Sequence, residues 1–432
     1  YNDDSRSDGG YSLECIDASN IAEGKRNWHA CMDELGGTPC KENSVVAINP
    51  DITPPKVIYL EVLSEDTIRI AFSEPMDSLT ITDIENYSLS SENLGVKKIM
   101  LQGNLYDGVK LILNNPMELG SFYQLAIGGE IVDFSGNPIE ESTFKIGLPQ
   151  IPAAGDLVVN EVLFNPYSGG VDFVEIFNNS QKCIDLKNLF LANRNTDLSL
   201  NGVNPAADTS RLIFPAEYAV ITVNPQQVRQ FYYCENEKAF VQVSSMASLN
   251  SDEGYVVLLN ANMDVVDELH YTEKLHNPII TNVKGVSLER INPKLTSSDA
   301  STWHSAAQSV GFATPTFKNS QYAETSMEDG YFTISPEIIS PDGDGKDDFL
   351  QLCYSLPAEG YVSNIRIFTS AGVEVFRLAN NLLLGREGCL RWDGVNYANR
   401  IVPTGIYVVY VEYFNLSGEV KREKRVCVVA ER

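Results

Sequence analysis

The sequence predicts an all-β protein, a row of tandem β-sandwiches strung like beads. Three observations carry this. Tyr and Phe together number 38, and with many Val, Ile and Thr they tilt local preference to strand. Short apolar-alternating runs recur about every ten residues with Asn-Gly and Asp-Gly type turns between them. A length of 432 residues, 43% hydrophobic and 21% charged, is enough for several globular domains, each with its own core.

One passage occurs twice. Gly10-Tyr-Ser-Leu-Glu14, Trp28-His29, Thr38-Pro39 and Lys41-Glu-Asn-Ser44 recur as Gly285-Val-Ser-Leu-Glu289, Trp303-His304, Thr314-Pro315 and Lys318-Asn-Ser320. Leu to Trp is 15 residues in both copies, and Trp to Thr is 10 in one and 11 in the other. A separation of 275 residues signals duplicated domains, not a solenoid, whose periods run roughly 20–50. The second copy closes a long strand-rich stretch, whereas the first has none ahead of it, so the sequence is expected to begin inside a domain. Residues 11–46 are then expected either to complete a sandwich with residues upstream or to add a strand to a partner chain, since an open sheet edge invites pairing.

Residues 1–10 are polar and expected to be a frayed end or loop. Asn49-Pro50 and Thr53-Pro54-Pro55 make a stiff linker. From Lys56 alternating strands begin, among them Val57–Val62, Thr67–Phe72, Gly108–Leu113 and Tyr123–Ile127, in the spacing of an immunoglobulin-like sandwich. Through Phe72-Ser-Glu-Pro-Met-Asp77, Tyr87-Ser-Leu89 and Asp133-Phe-Ser-Gly-Asn-Pro-Ile139, residues 56–148 resemble the bacterial Ig-like domain of S-layer proteins, which implies a spacer.

After a second linker at 149–155 come Asn160-Glu-Val-Leu-Phe-Asn-Pro166 and Asp172-Phe-Val-Glu-Ile-Phe-Asn-Asn179, then the second copy of the repeat. These blocks make 155–322 resemble the lamin-tail domain, an Ig-like sandwich, and 1–48 resemble the closing part of another. The last block, 328–432, carries Ser340-Pro-Asp-Gly-Asp-Gly-Lys-Asp-Asp348, Arg391-Trp-Asp-Gly394 and Pro403-Thr-Gly-Ile-Tyr407. It resembles the Ig-like modules related to the flagellar hook cap and to the gliding-motility-associated C-terminal modules of type IX secreted proteins.

Eight cysteines without a CxxC pair argue against a zinc ribbon and for structural disulfides in an oxidising compartment. The plausible pairs are Cys31–Cys40, Cys183–Cys234 and Cys353–Cys389; Cys15 and Cys427 have no obvious partner. A net charge of −26 with no basic stripe disfavours nucleic acid. No run of 18 apolar residues is present to span a membrane.

Asp342, Asp344, Asp347 and Asp348 crowd into seven residues with two glycines, hard oxygen ligands on a tight turn of the sort calcium selects. The twelfth loop position is Cys353, so this is not an EF-hand, and an acidic Asp-Gly turn is the plain alternative. Asp172 and Glu175, three apart on an expected strand, should face opposite sides and not form a catalytic pair. His29 and His304 recur beside the repeated tryptophan and read as structural, and all three tryptophans read as core. No nucleophile elbow, phosphate loop or HExxH motif exists. The expectation is a non-enzymatic exported protein of the cell surface or outer membrane, whose modules serve as spacers and as a scaffold for a protein partner. The rivals are the accessory part of a secreted hydrolase, often the company of lamin-tail domains, and a glycan-binding module.

Overall fold

The computed structural model describes residues 6, 8–20, 24–103, 105–140, 142–323 and 331–430. Most of the expected frayed start (1–5 and 7), the opening of the last block (328–330) and its two final residues lie outside that range. The chain divides into two units, Tyr1–Gln150 with Thr209–Leu212, and Ile151–Asp208 with Ile213–Arg432.

In the first unit, Leu13–Cys15 and Trp28–Ala30 pair as a two-stranded antiparallel sheet. Beyond it lies a sandwich. Its four-stranded sheet runs in the order Val57–Ser64, Thr67–Phe72, Gly108–Leu113, Val96–Gln102, and its three-stranded sheet in the order Tyr87–Leu89, Phe122–Ile127, Ser142–Gly147. Thr67–Phe72 shows why these residues choose strand: Ile68, Ile70 and Phe72 are buried while the intervening residues are half-exposed, the period-two pattern of a one-faced sheet.

The second unit holds two sandwiches. The first has a six-stranded sheet ordered Phe240–Gln242, Tyr218–Thr222, Phe173–Asn178, Leu157–Leu163, Leu288–Arg290, Trp303–Ser305. It faces a four-stranded sheet of Leu200–Pro205, Phe190–Arg194, Glu253–Leu259 and Val265–Thr272. All seven residues of Leu157–Leu163 are buried. One face of that strand meets the apolar core, and the other lies under the chain that returns through Thr314–Gln321. The short helix Pro225–Phe231 begins where Asn224 caps the amides of Gln226 and Gln227 and Pro225 opens the first turn.

The last sandwich stacks a three-stranded sheet (Tyr331–Ser335, Leu350–Ser355, Glu387–Trp392) on a five-stranded one (Ile338–Ile339, Val420–Val429, Gly405–Phe414, Val362–Thr369, Glu374–Leu383). Cys353 and Cys389 face each other in register on neighbouring strands and form a disulfide, Cα–Cα 4.0 Å. The other two expected pairs do not form. The Cys31 sulfur is buried against the Ser44 hydroxyl at 3.4 Å, while Cys40 sits on an exposed left-handed turn (φ 62°). Cys183 is buried ahead of Ile184, and Cys234 lies beyond the helix on the segment that meets Thr316. Different elements therefore hold the two thiols.

These two sandwiches meet at a polar seam. The Arg386 amide donates to the Ser320 carbonyl at 2.7 Å, Gln321 Nε2 to the Leu384 carbonyl at 3.2 Å, and the Tyr354 hydroxyl to Ser309 at 3.1 Å. Gly385 passes so close that a Cβ there would lie 2.6 Å from the Ser320 oxygen.

Candidate functional site

The aspartate loop joins Ile338–Ile339 to Leu350–Ser355, and left-handed Gly343 (φ 83°) and Gly345 (φ 88°) curl it. Asp342, Asp344 and Asp348 bring one carboxylate oxygen each to within 4.8 Å of the others. Asp347 is not among them; its carbonyl accepts from the Ser340 amide at 2.7 Å instead. Backbone amides shape the cluster: Gly343 and Gly345 donate to Asp348 at 2.7 and 2.8 Å, and Lys346 donates to Asp344 at 2.7 Å. Each carboxylate oxygen keeps acceptor capacity beyond these bonds, which is what a hard cation requires.

Sequence reasoning missed two other acidic groupings. Asp51, Glu74 and Asp133 converge in the first unit from the linker, the Phe72–Asp77 turn and the Asp133–Asn137 turn. Burial, with Asp51 and Asp133 alongside, pushes Glu74 up to about 7. Asp133 itself is almost fully buried and accepts from the Ser135 and Asn137 amides, each at 2.8 Å.

The second grouping is a ladder of three carboxyls across adjacent strands. Glu161 stands opposite Glu175 on one side and opposite Glu289 on the other, and all three are 0% exposed. Neighbouring like charges repel, so the arrangement persists only because donors surround it. Glu161 accepts from the Ser287 hydroxyl and from the Thr314 amide at 2.8 Å. Glu175 accepts from Asn160 Nδ2 at 2.8 Å and the Thr316 amide at 2.6 Å. Glu289 accepts from the Thr314 hydroxyl at 2.7 Å, the Ser320 hydroxyl at 2.8 Å and the Gln321 amide at 2.9 Å. Burial outweighs these donors and raises all three, Glu175 to about 8. Sealed in this way, the trio has no access to a substrate. Asp172 lies just before the buried strand, half-buried and pushed up by burial to about 6. The signal available in the sequence was the glutamate that both copies keep directly after a leucine.

The first copy reproduces the closing part of this ladder. Leu13, Glu14 and Cys15 pair with Ala30, His29 and Trp28 in the register that Leu288, Glu289 and Arg290 keep with Ser305, His304 and Trp303. Glu14 accepts from the Thr38 hydroxyl at 2.5 Å and from the Ser44 amide and hydroxyl at 2.6 and 2.7 Å, as Glu289 does from Thr314 and the chain at Ser320. Burial pushes the Glu14 carboxyl up, but here the donors prevail and hold it down at about 2.

Trp303 and Trp392 are each 1% exposed, as expected of core residues. Trp28 corrects that expectation: it is 46% exposed, because among the described residues no sandwich closes over its face as one does over Trp303. His29 bonds its neighbour's carbonyl at 2.8 Å, while His304 approaches Glu359 at 3.7 Å across the seam. His270 stacks on Tyr255, and buried His276, lowered by burial to about 4, meets Ser305 at 3.0 Å.

Among the described residues no helix is long and apolar enough to cross a membrane. Comparison with known proteins matches residues 150–273 to the lamin tail domain and residues 333–428 to the type IX secretion signal domain. No curated protein matches significantly. Solved structures that resemble the chain include the N-terminal part of the bacterial S-layer protein SbsC (14% identity, 38% of this chain and 45% of that one, TM-score 0.21). Dimeric latent PorU from Porphyromonas gingivalis is similar at 8% identity over 85% of this chain and 32% of that one, TM-score 0.20. PorZ, an essential bacterial surface component of the type-IX secretion system of the same organism, is similar at 10% identity over 85% and 56%, TM-score 0.20. The chain thus spans about half or less of the length of these proteins. It is an exported, all-β, multidomain cell-surface protein that carries a lamin tail domain and a type IX secretion signal domain.

Proposed function

We propose that the chain is a non-enzymatic surface scaffold whose sandwiches act as spacers and hold a protein partner at the outer membrane. The observation that carries this reading is where its acidic chemistry lies. The carboxyls with strongly raised proton affinity in the lamin tail domain are sealed inside its core, fixing strands, not facing a cleft. The secretion signal domain supplies the surface context. Isolation of the full-length native protein from outer membranes, with mass spectrometry of what accompanies it, tests the reading. A stoichiometric outer-membrane protein is the expected result. A hydrolase domain in the same polypeptide and no companion would make these sandwiches an enzyme's accessory part.

Calcium on the aspartate loop belongs to the same proposal, as a stiffener of the last sandwich held by Asp342, Asp344 and Asp348. Isothermal titration of the whole chain should show calcium heat that Asp348→Asn abolishes. Equal heats from both proteins would remove calcium from the reading.

A further inference from the structure

The carboxyl row does not stop at Glu289. Opposite Glu289 on the next strand stands His304, so one line of titratable residues runs Glu175, Glu161, Glu289, His304 across four neighbouring strands. Residues directly opposite each other share a face of the sheet. The last member of the line reaches out of its own sandwich. His304 Nε2 lies 3.7 Å from Glu359, on the turn that joins Leu350–Ser355 to Val362–Thr369 in the last sandwich. Glu359 is already engaged from its own side, because Arg386, its side chain only 8% exposed, stands 4.0 Å from the other carboxylate oxygen. Arg386 is held in place: Nη1 donates to the Pro357 carbonyl at 2.6 Å, and its amide donates across the seam to Ser320. Ser320 and Gln321, the residues that receive the last sandwich, are in turn fixed by Glu289. The groups that face His304 are therefore Glu289 from its own sheet and Glu359 and Arg386 from the last sandwich, with the Tyr354 hydroxyl further along the seam on Ser309.

This geometry suits a neutral imidazole and crowds a charged one. A proton on His304 sets two cations on the single carboxylate of Glu359, where the two side chains are only 30% and 26% exposed. The imidazolium gives up water there without gaining a carboxylate of its own. Burial accordingly outweighs the pull of Glu359 and lowers the proton affinity of His304 below that of a free imidazole. Once the sandwiches part, the ring regains water and its ordinary pKa of about 6.5.

We infer that His304 is an acid-sensitive latch on the seam: neutral, it lets the lamin tail sandwich and the last sandwich stay docked, and protonated, it parts them. Opening takes up a proton, so the latch's contribution to docking is complete above about pH 6.5 and is lost as pH falls from there. The inference goes beyond the scaffold reading and does not depend on the identity of any partner.

The test follows amide hydrogen exchange of the 432-residue chain from pH 7.5 to 5.0, corrected for the intrinsic rate. The Arg386 amide, bonded to Ser320, reports on the seam. Val409 and Val411, on the central strand Gly405–Phe414, report on whether the last sandwich stays folded. Protection at Arg386 should fall below about pH 6.5 by up to tenfold per pH unit, while Val409 and Val411 stay protected. His304→Gln, neutral throughout, should leave the profile flat. His304→Lys, charged throughout, should leave Arg386 unprotected already at pH 7.5. His29→Gln, the same change in the first copy, should keep the wild-type profile. A flat profile in the wild type, an unchanged one in His304→Gln, or full protection in His304→Lys would each overturn the inference. Loss of protection at Arg386 and Val409 together would overturn it as well, since the sandwich would then be unfolding and not undocking.

Discussion

The hairpin at 13–30 and the strands at 288–305 are the same design in two different surroundings. Register, glutamate, threonine and serine contacts agree, yet the proton affinities of the two glutamates move in opposite directions. Glu289 lies in line with a second and a third carboxyl under a closed sandwich, where burial dominates and makes it hold its proton more tightly than a free glutamate does. Glu14 has donors of the same kind without the crowd, and its ionised form is favoured. A conserved set of hydrogen bonds therefore does not determine a carboxyl's charge; the strand placed beside it does.

The largest expected break in this parallel is at the tryptophans. Trp303→Ala removes a fully buried ring from the lamin tail core and should cost about 3–5 kcal/mol in chemical denaturation of that unit. Trp28→Ala, at a half-exposed site, should cost about 1 kcal/mol or less.

The pH responses should be opposite in sign. The ladder carboxyls bind protons more tightly folded than unfolded, where a glutamate titrates near 4.3. Their contribution is therefore complete below that value and is lost as pH rises through it toward about 8, the value for Glu175. Glu14 is depressed to about 2, so its contribution is present above the unfolded value and is lost as pH falls from there toward 2. Denaturation followed from pH 3 to 9 should show the lamin tail domain weakening on the alkaline side and the hairpin loosening on the acid side. Glu161→Gln, neutral at the centre of the ladder, should flatten the alkaline loss by up to about 1.4 kcal/mol per pH unit.

A smaller effect should appear where the completed copy hands on to the next sandwich. Gly385→Ala places a methyl 2.6 Å from the Ser320 oxygen. It should cost about 1–3 kcal/mol, read as earlier proteolytic cleavage between the lamin tail and secretion signal domains.

The strand pattern made the sandwiches legible, because alternation such as Thr67–Phe72 is dictated by a one-faced sheet. The repeat made the matched hairpins legible, and in-register Cys353–Cys389 followed from two strands of one small domain. The ladder was hidden because Glu161, Glu175 and Glu289 come together only through sheet order, with Glu289 arriving from 128 residues beyond Glu161. Trp28 was misjudged for a related reason. A repeat transmits a residue's identity, not its surroundings. Of the aspartate loop, residue type gave three members, but the left-handed turn at Asp347 (φ 57°) decides which side chains converge.

The ladder also couples the lamin tail domain to its solvent as a proton store. Burial raises the carboxyls inside the sheet, Glu175 to about 8, so those held protonated at neutral pH must ionise when the sheet opens, and unfolding there releases protons to the buffer. The apparent calorimetric enthalpy should then vary with the buffer's own heat of ionisation, shifting between phosphate and Tris. For the hairpin, whose glutamate is ionised in both states at that pH, the same exchange of buffer should leave the heat unchanged.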